Sequence, residues 1–468
     1  PQERRDVAKT TTSTKTPAER LLEALGPIGR FHPPVGDFGS PARATTEEYL
    51  EPFAKADEFS RLGPIEKVHL FWYAGMSCDD CSVAVTGAQA PSVEGLMMGA
   101  HPGLPRVVLH HPVLNLEAGP NFVRAAEQAI EGTLGAPYVV VLEGSIADET
   151  IAHAYGGYFA AQGEEPWGPD GEIRSVTAEE WVARLAPGAA AMFAIGTCAT
   201  WGGIPSANGN PTGAMSLMDF LGQDYRSTFG VPVVNIPGCP PIGDNFTEAV
   251  AAVVYFLQGF GPLPEFDELG RPAWQFGETV HRHCARGAYY EEGDFATAFG
   301  DKECLVEIGC WGPVVNCNIT SRGAINHHGG CMNAGGACIG CTMPGFPDKF
   351  TPFYKTPPGS RVSSTISRMV GSFIRPLREY SNEHLDREVR WDLEGHVLSG
   401  WAREHKEPGP ISAAGHKFYD RMRRSTDRSR NKGETWGKRD ELTLARDPEM
   451  DRRLPGGEEE TLTVDKGR

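Results

Sequence analysis

Short apolar runs alternate with helix-like patterns between residues 67 and 259. Each run is apolar throughout, which is typical of strands buried on both faces of a parallel sheet. Helical spacing separates the runs, so the pattern predicts a doubly wound α/β domain. The predicted strands are Val68–Tyr73, Tyr138–Leu142, Ala190–Ile195 and Val231–Ile236, and the predicted helices are Asn121–Leu134, Phe246–Leu257 and one that runs from the capping box at Thr177 through Leu185.

The pattern changes outside this domain. Residues 1–63 begin Thr/Pro-rich and continue with helical spacing near Pro17–Leu25 and Thr45–Leu62, which predicts an arm that packs on something else. For about the first fifteen residues, a flexible extension is the alternative. Between residues 275 and 350 periodicity fades while Gly, Cys and His become frequent, so an apolar core alone does not explain the region. The chain then turns polar, which predicts a long extended tail that wraps a partner or is partly disordered. The predicted divisions are residues 1–63, 64–265, 266–355 and 356–468.

Composition and charge narrow the function classes. The 468 residues carry 44 Lys and Arg against 61 Asp and Glu, a formal net charge of -17. This acidity argues against a general nucleic-acid binder, which needs a basic face. No apolar run approaches the ~18 residues that cross a bilayer, so we predict no transmembrane helix. No export signal follows Arg4-Arg5, and we expect a cytoplasmic protein, with peripheral membrane contact through the tail left open.

The eleven cysteines carry the candidate chemistry. Their odd number excludes a complete set of internal disulfides. A single cysteine is most often a small buried apolar residue, but seven fall between Cys284 and Cys341. Metal ligation explains this density better than packing does, and the free energy of ligation would stabilise an irregular region.

The other four cysteines follow predicted strands. Cys78 and Cys81 come just after the first strand, and Cys198 and Cys239 each follow a later one. Open α/β sheets bind their ligands at the carboxyl ends of strands. We therefore expect these four thiols to form one site.

The spacing in the second region divides the remaining candidates into two sets. His281, Cys284, Cys304 and Cys310 form one, and Cys317, Cys331, Cys338 and Cys341 form the other. His283 is an alternative to His281, although the two-residue spacing to Cys284 favours His281. Three sets of four suit [4Fe-4S] clusters, in which a histidine can replace a thiolate. Structural zinc sites use the same residues, and spacing alone does not separate the metals. Three sites in one chain favour a row of redox centres.

These motifs resemble those of the small subunit of NiFe hydrogenases. The resemblance covers about residues 65–345 and rests on several segments that occur in order. They are Cys78-Asp79-Asp80-Cys81, Glu143-Gly144-Ser145, Gly196-Thr197-Cys198 with Gly202-Gly203 and Asn210-Pro211, Pro237-Gly238-Cys239-Pro240-Pro241, His281 with Cys284, Gly309-Cys310 with Gly312-Pro313, Asn316-Cys317 and Cys338-Ile339-Gly340-Cys341.

The resemblance implies a flavodoxin-like domain with a proximal cluster, followed by an iron–sulfur domain with medial and distal clusters. By position, Cys78, Cys81, Cys198 and Cys239 match the proximal ligands, Cys317, Cys338 and Cys341 match medial ligands, and His281, Cys284, Cys304 and Cys310 match the distal ligands. Many members have proline and a [3Fe-4S] cluster where this chain has Cys331. A fourth thiolate here implies three [4Fe-4S] clusters in total.

A second departure is the pair Asp79-Asp80, where uncharged residues are usual. We hypothesise that Asp80 ligates the proximal cluster in place of one thiolate; the alternative is that both aspartates face solvent or cap the next helix. Together with Cys331, the long tail and the missing export signal make the chain most similar to the actinobacterial-type, oxygen-tolerant uptake hydrogenases.

The implied function is electron transfer within a hydrogenase, an H2:acceptor oxidoreductase. The nickel–iron site would belong to an obligate large-subunit partner, because every thiol here is already assigned and no residue of this chain is expected to be catalytic. A dimer of heterodimers is compatible with this, and the electron acceptor is unknown. Two rivals are a cluster-bearing subunit of another redox complex, similar to complex I, and a zinc-stapled scaffold without chemistry.

Overall fold

The computed structural model describes residues 15–25, 62, 65–115, 119–167, 170–356, 362 and 364–370. The first helix of the predicted arm forms over Pro17–Leu25. The second predicted helix of the arm, up to residue 61, and the tail beyond residue 370 lie outside the described residues. The predicted divisions of the chain stay predictions for that reason.

A five-stranded parallel sheet forms the centre of the larger part. Its strands are β1 (Lys67–Ala74), β2 (Arg106–His110), β3 (Tyr138–Glu143), β6 (Ala191–Ile195) and β7 (Val233–Ile236). They lie in the order β2-β1-β3-β6-β7, and every neighbouring pair is parallel. This is the strand order of flavodoxin-like sheets. The predicted doubly wound sheet is confirmed.

The sheet is buried on both faces because its strands are mostly apolar. In β3, Tyr138, Val140 and Leu142 face one apolar core, while Val139 and Val141 face the other. The helices covering the first face are Pro17–Leu25, Pro120–Glu131, Ala178–Leu185 and Leu217–Leu221, those covering the second are Asp80–Thr86, Val93–Met98 and Gly243–Gln258, and short helices at Glu149–His153 and Gly196–Trp201 complete the larger part.

Two features of this part have no counterpart in the predicted pattern. Strand β2 was missed because its five residues begin with Arg106 and end with the buried His110. The antiparallel hairpin of β4 (Ala161–Trp167) and β5 (Glu172–Thr177) was missed because its strands are mostly polar. Ion pairs fix the hairpin instead: Glu165 lies 2.6 Å from Arg174 and 2.8 Å from Arg184.

The cysteine-rich part has little regular structure, as its sequence predicts. Its helices are Ala273–Phe276, Gly287–Glu292 and Ile319–Arg322, and 3-10 turns form at Val280–His283, Leu305–Ile308 and Gly312–Val314. Its apolar core includes the candidate ligands Cys310 and Cys338 beside Trp311 and Phe350. Of all the helices described, the longest has 16 residues, and none has the length and hydrophobicity needed for a membrane crossing.

Polar contacts join the two parts. The side chains of Asn245 and Asn318 exchange two hydrogen bonds of 2.9 Å. Beside them Arg322 lies 2.6 Å from Glu248. Asn318 directly follows Cys317, so the long helix Gly243–Gln258 of the sheet part holds the loop that carries a candidate ligand.

Candidate metal centres

The loops after β1, β6 and β7 bring four thiols together. Cys78 precedes the helix Asp80–Thr86, which carries Cys81, while Cys198 lies in the helix Gly196–Trp201 and Cys239 follows β7. Burial raises the pKa of Cys81 well above its usual range, and the thiols of the other three are close enough to raise it further. The structure thus groups the predicted proximal set, while its role as a ligand set stays a prediction.

Glycines shape the space around these thiols. Gly196 has a φ of +84°, and a Cβ there would lie 2.4 Å from the Cys81 Sγ. Gly203 has a φ of +59°, and its Cβ would lie 2.8 Å from the Cys198 Sγ. Only glycine combines these backbone angles with such close approach. The loops therefore fit closely around the thiols.

Glu143 is a site residue whose role the sequence did not indicate. It ends β3, is fully buried, and accepts N–H hydrogen bonds from Cys81 at 3.1 Å, Ser82 at 3.2 Å and the Trp72 indole at 2.9 Å. The carboxylate therefore caps the helix that carries Cys81. The signal in the sequence was an acidic residue at the end of a wholly apolar run.

A buried histidine continues this polar network. The Nδ1 of His111 accepts hydrogen bonds from the backbone N–H groups of Val113 and Leu114, both at 3.0 Å. Its Nε2 therefore carries the proton and donates to the Ser82 hydroxyl at 2.9 Å, and that hydroxyl donates to Glu143. Burial lowers the pKa of His111 to about 4, although Asp79 acts in the opposite direction. The ring is neutral at pH 7.

The aspartates between Cys78 and Cys81 are both exposed. Asp79 sits at the N-cap with a left-handed φ of 63°, but its side chain makes no capping hydrogen bond, because Glu143 supplies that acceptor. Asp80 begins the helix. Burial raises the pKa of Cys239, and the nearby charges of Cys78 and Asp80 raise it further. Asp80 thus lies near Cys239, and its ligation stays a hypothesis.

A small, partly open cavity marks the second site. Its lining includes His281, Cys284, Cys304 and Cys310, the set that sequence spacing predicts. Burial lowers the pKa of His281 to about 4, so its imidazole is neutral and its lone pair suits a metal. The alternative ligand, His283, pairs with Glu278 instead.

The third set consists of the last four cysteines of the chain, Cys317, Cys331, Cys338 and Cys341. Burial raises the pKa of Cys317 to about 12 despite an N–H donor from Ile319, and the thiol of Cys331 raises it further. Burial likewise raises the pKa of Cys341, to which Cys317 and Cys331 add. Burial also raises the pKa of Cys338, and Cys331 is again one of the neighbours that raise it further. Cys331 therefore lies among the other three.

The same backbone geometry recurs at the thiols of the second and third sites. In each case the N–H group two residues after the cysteine donates to its sulfur. The positive end of the N–H dipole then points at a sulfur that carries negative charge when it acts as a ligand. The pairs are Arg286 to Cys284 at 3.4 Å, Gly312 to Cys310 at 3.4 Å, Val306 to Cys304, Ile319 to Cys317 and Gly340 to Cys338.

The three sites form a row that is connected by hydrogen bonds. The Cys239 N–H donates to the Cys341 sulfur, and the Thr197 hydroxyl donates to the Cys341 carbonyl. At the other end, the Cys338 N–H donates to the Cys310 sulfur at 3.3 Å. The first site therefore touches the third through Cys341, and the third touches the second through Cys338.

The donors have the chemistry that iron–sulfur clusters use. Within the described residues, no three Cys, His, Asp or Glu side chains come close enough to share one metal ion. In a [4Fe-4S] cluster each ligand binds a different iron, so its four ligands stand apart around a larger body. Four soft donors, N–H groups aimed at the sulfurs and glycine-lined space together suit such a group.

Comparisons with known proteins match both parts of the chain. The family described as the C-terminal region of the NiFe/NiFeSe hydrogenase small subunit matches residues 276–354, and the family described as the 20 Kd subunit of NADH ubiquinone oxidoreductase matches residues 78–253. The periplasmic NiFeSe hydrogenase small subunit of Desulfomicrobium baculatum is 32% identical over 292 residues, which cover 62% of this chain and 87% of that protein. The hydrogenase-2 small chain of Escherichia coli K12 is 32% identical over 283 residues, 59% and 67% of the two chains.

Solved structures agree. The actinobacterial-type NiFe-hydrogenase from Ralstonia eutropha H16 matches with a TM-score of 0.65 and 45% identity, over 74% of this chain and 99% of that one. An NiFeSe hydrogenase of Dm. baculatum matches with a TM-score of 0.55 and 31% identity, over 62% of this chain and all of that one.

Proposed function

Because the chain belongs to the family of NiFe hydrogenase small subunits, we propose that it relays electrons from hydrogen oxidation at a large-subunit nickel–iron centre, through three [4Fe-4S] clusters, to an external acceptor. The observation that supports this best is the row of three ligand sets. Cys341 links the first set to the third, and Cys338 links the third to the second.

The bound clusters would supply one-electron redox chemistry, and the residues of this chain hold and insulate them. The thiols of Cys78, Cys81, Cys198 and Cys239 would hold the proximal cluster, with Asp80 as the alternative to one thiolate. Cys317, Cys331, Cys338 and Cys341 would hold the medial cluster, and His281 with Cys284, Cys304 and Cys310 the distal one. The N–H groups at the sulfurs stabilise the negative charge of the ligands.

The partner would cover the proximal loops. Val83, on the helix of Cys81, exposes 65% of its surface, and Ile204, close after Cys198, exposes 55%. Ile325 exposes 53% and packs beside Gly87 at the end of the same helix. Apolar side chains this exposed, arranged around one site, are typical of a permanent interface. We propose that the large subunit binds here and that the acceptor approaches the distal site.

The rival functions differ in the part of the chain they explain. A redox subunit similar to complex I accounts for the sheet part alone, since the family model of that kind matches residues 78–253. It leaves the region of residues 276–354 without an explanation, and that region matches the hydrogenase family. The cytoplasmic location, the oxygen tolerance and the dimer of heterodimers stay predictions.

Metal analysis tests the proposal. The protein would be purified anaerobically, and its iron, zinc, acid-labile sulfide and nickel would be measured, with any co-purifying chain identified. We expect about twelve irons and about twelve sulfides per chain, four of each per cluster, and nickel only in proportion to a second polypeptide. Zinc without sulfide would establish a scaffold and end the redox proposal.

A further inference from the structure

A buried arginine lies beside the third site and belongs to no ligand set. Arg271 is only 5% exposed, and its Nη1 lies 3.8 Å from the Met343 sulfur. The same sulfur accepts the N–H of Asn316 at 3.4 Å, and Asn316 precedes Cys317. Met343 itself lies two residues after Cys341. The guanidinium thus reaches the segments that carry two of the medial ligands.

The local fold holds this charge in one place. Asp267 Oδ1 accepts the backbone N–H groups of Leu269 at 3.0 Å and Arg271 at 2.9 Å, which closes a tight turn. Its Oδ2 then accepts the Arg271 Nε at 2.7 Å. The guanidinium also lies 5.5 Å from the centre of the Phe276 ring. A guanidinium fixed on three sides loses little rotamer freedom and acts as a stationary charge.

Solvent screens the cation and its partner unequally. The Asp267 side chain is 18% exposed and the Arg271 side chain 6%, so solvent screens the carboxylate more. The guanidinium therefore contributes a positive field beside the third site that its counter-charge only partly offsets.

We propose that Arg271 is a positioning residue that sets the redox potential of the medial cluster upward, offsetting the negative charge that the fourth thiolate, Cys331, adds. The inference rests on the proposed function. Each transfer brings one electron from the proximal cluster and passes one on to the distal cluster, and no proton or bond changes at Arg271. A fixed positive charge favours the state with the extra electron, so the medial cluster accepts electrons more readily.

Redox titration of the heterodimer, followed by electron paramagnetic resonance, tests this. The signal that changes type in a Cys331→Pro variant identifies the medial cluster. In Arg271→Met we expect at least a tenfold lower ratio of reduced to oxidised medial cluster at a fixed potential, which is ~59 mV for one electron. The proximal and distal potentials should stay where they are, and Arg271→Lys should restore most of the medial shift.

Two further variants keep the outcome decisive. Asp267→Asn leaves the guanidinium but removes its counter-charge, so the medial potential should move in the opposite direction. This variant decides the matter if Arg271→Met fails to assemble. Arg106→Met, at the exposed start of β2, is the matched control and should shift nothing. An unmoved medial potential in both variants, or an equal shift of all three clusters, overturns the inference. Wild-type protein without iron overturns the proposed function itself.

Discussion

The two parts of the molecule acquire their interiors by different means. In the sheet part, apolar side chains from five strands fill a core on each face, and the thiols project from loops at one edge. In the cysteine-rich part, the thiols of Cys310 and Cys338 belong to the core itself, among short helices and turns. The first part therefore presents a site on a frame that folds without it. We expect the second part to form its core only when its cysteines bind metal clusters.

Removal of iron should give the largest difference in behaviour between the two parts. With a chelator and reductant, we expect residues 276–354 to lose their protection against amide hydrogen exchange, because the free energy of ligation is the free energy of folding there. Strand β3, buried on both faces, should keep its protection and serves as the internal control. Equal loss in both regions would contradict the comparison.

Cys331→Pro should reduce the iron content from about twelve to about eleven per chain, because the fourth medial thiolate is lost. Iron analysis and the resonance spectrum of the oxidised protein would show it. Cys331→Ala should give the same count, since it removes the thiolate without a proline ring. An unchanged medial spectrum in both would remove Cys331 from the ligand set.

The sheet part should lose stability in acid through its buried histidines. Burial lowers the pKa values of His69 and His111 to about 4, while the unfolded chain titrates near 6.5. The unfolded state thus binds more protons below pH 6.5, and the free energy of unfolding falls as the pH drops from about 6.5 to about 4. Each ring contributes at most about 3 kcal/mol to this loss.

Urea unfolding at pH 7 and pH 4.5, followed by tryptophan fluorescence, measures this dependence. His69→Gln should flatten the profile, because it removes one of the two histidines of the sheet part whose pKa burial lowers. His327→Gln, at an exposed position of the cysteine-rich part, should leave the profile of the sheet part as it is. A profile that His69→Gln does not change would refute the argument.

Glu143→Gln should give the smallest effect and sharpen the contrast within the sheet part. The variant keeps an acceptor for the Cys81 and Ser82 N–H groups but removes a buried negative charge. We expect the ratio of reduced to oxidised proximal cluster at a fixed potential to rise about tenfold. This corresponds to a proximal potential ~59 mV higher for one electron, with the medial and distal potentials unchanged. The measurement is the same redox titration, and a shift at all three sites would point to general unfolding instead.

The sheet was predictable because continuous apolar runs have few alternatives. Strands such as Tyr138–Leu142 are recognisable from their apolar composition. Because the strands are parallel, Cys78, Cys198 and Cys239, which follow them, lie at the carboxyl-end edge of the sheet. The grouping of His281 with Cys284 followed from spacing alone. Strand β2 and the polar hairpin did not follow, since ion pairs and neighbouring strands, rather than local pattern, hold them in place.

The supporting residues were the least predictable. Glu143 lies 62 residues from Cys81, and no local pattern joins an acid at a strand end to a distant helix. Arg271 resembles any arginine in the sequence until its turn is seen to close on Asp267. Contacts of this kind depend on tertiary geometry, which a single sequence does not reveal. Candidate ligands can be recognised by their residue type, whereas the residues that orient them cannot.

The hydrogen bond from the Cys239 N–H to the Cys341 sulfur limits how this molecule can be divided. A donor in the sheet part serves a ligand in the cysteine-rich part, and the Asn245–Asn318 pair repeats that dependence beside Cys317. A genetic fragment ending between the two parts would leave Cys341 without that donor. The cysteine-rich region therefore cannot be transferred to another scaffold by itself. The new scaffold would have to supply both of these contacts.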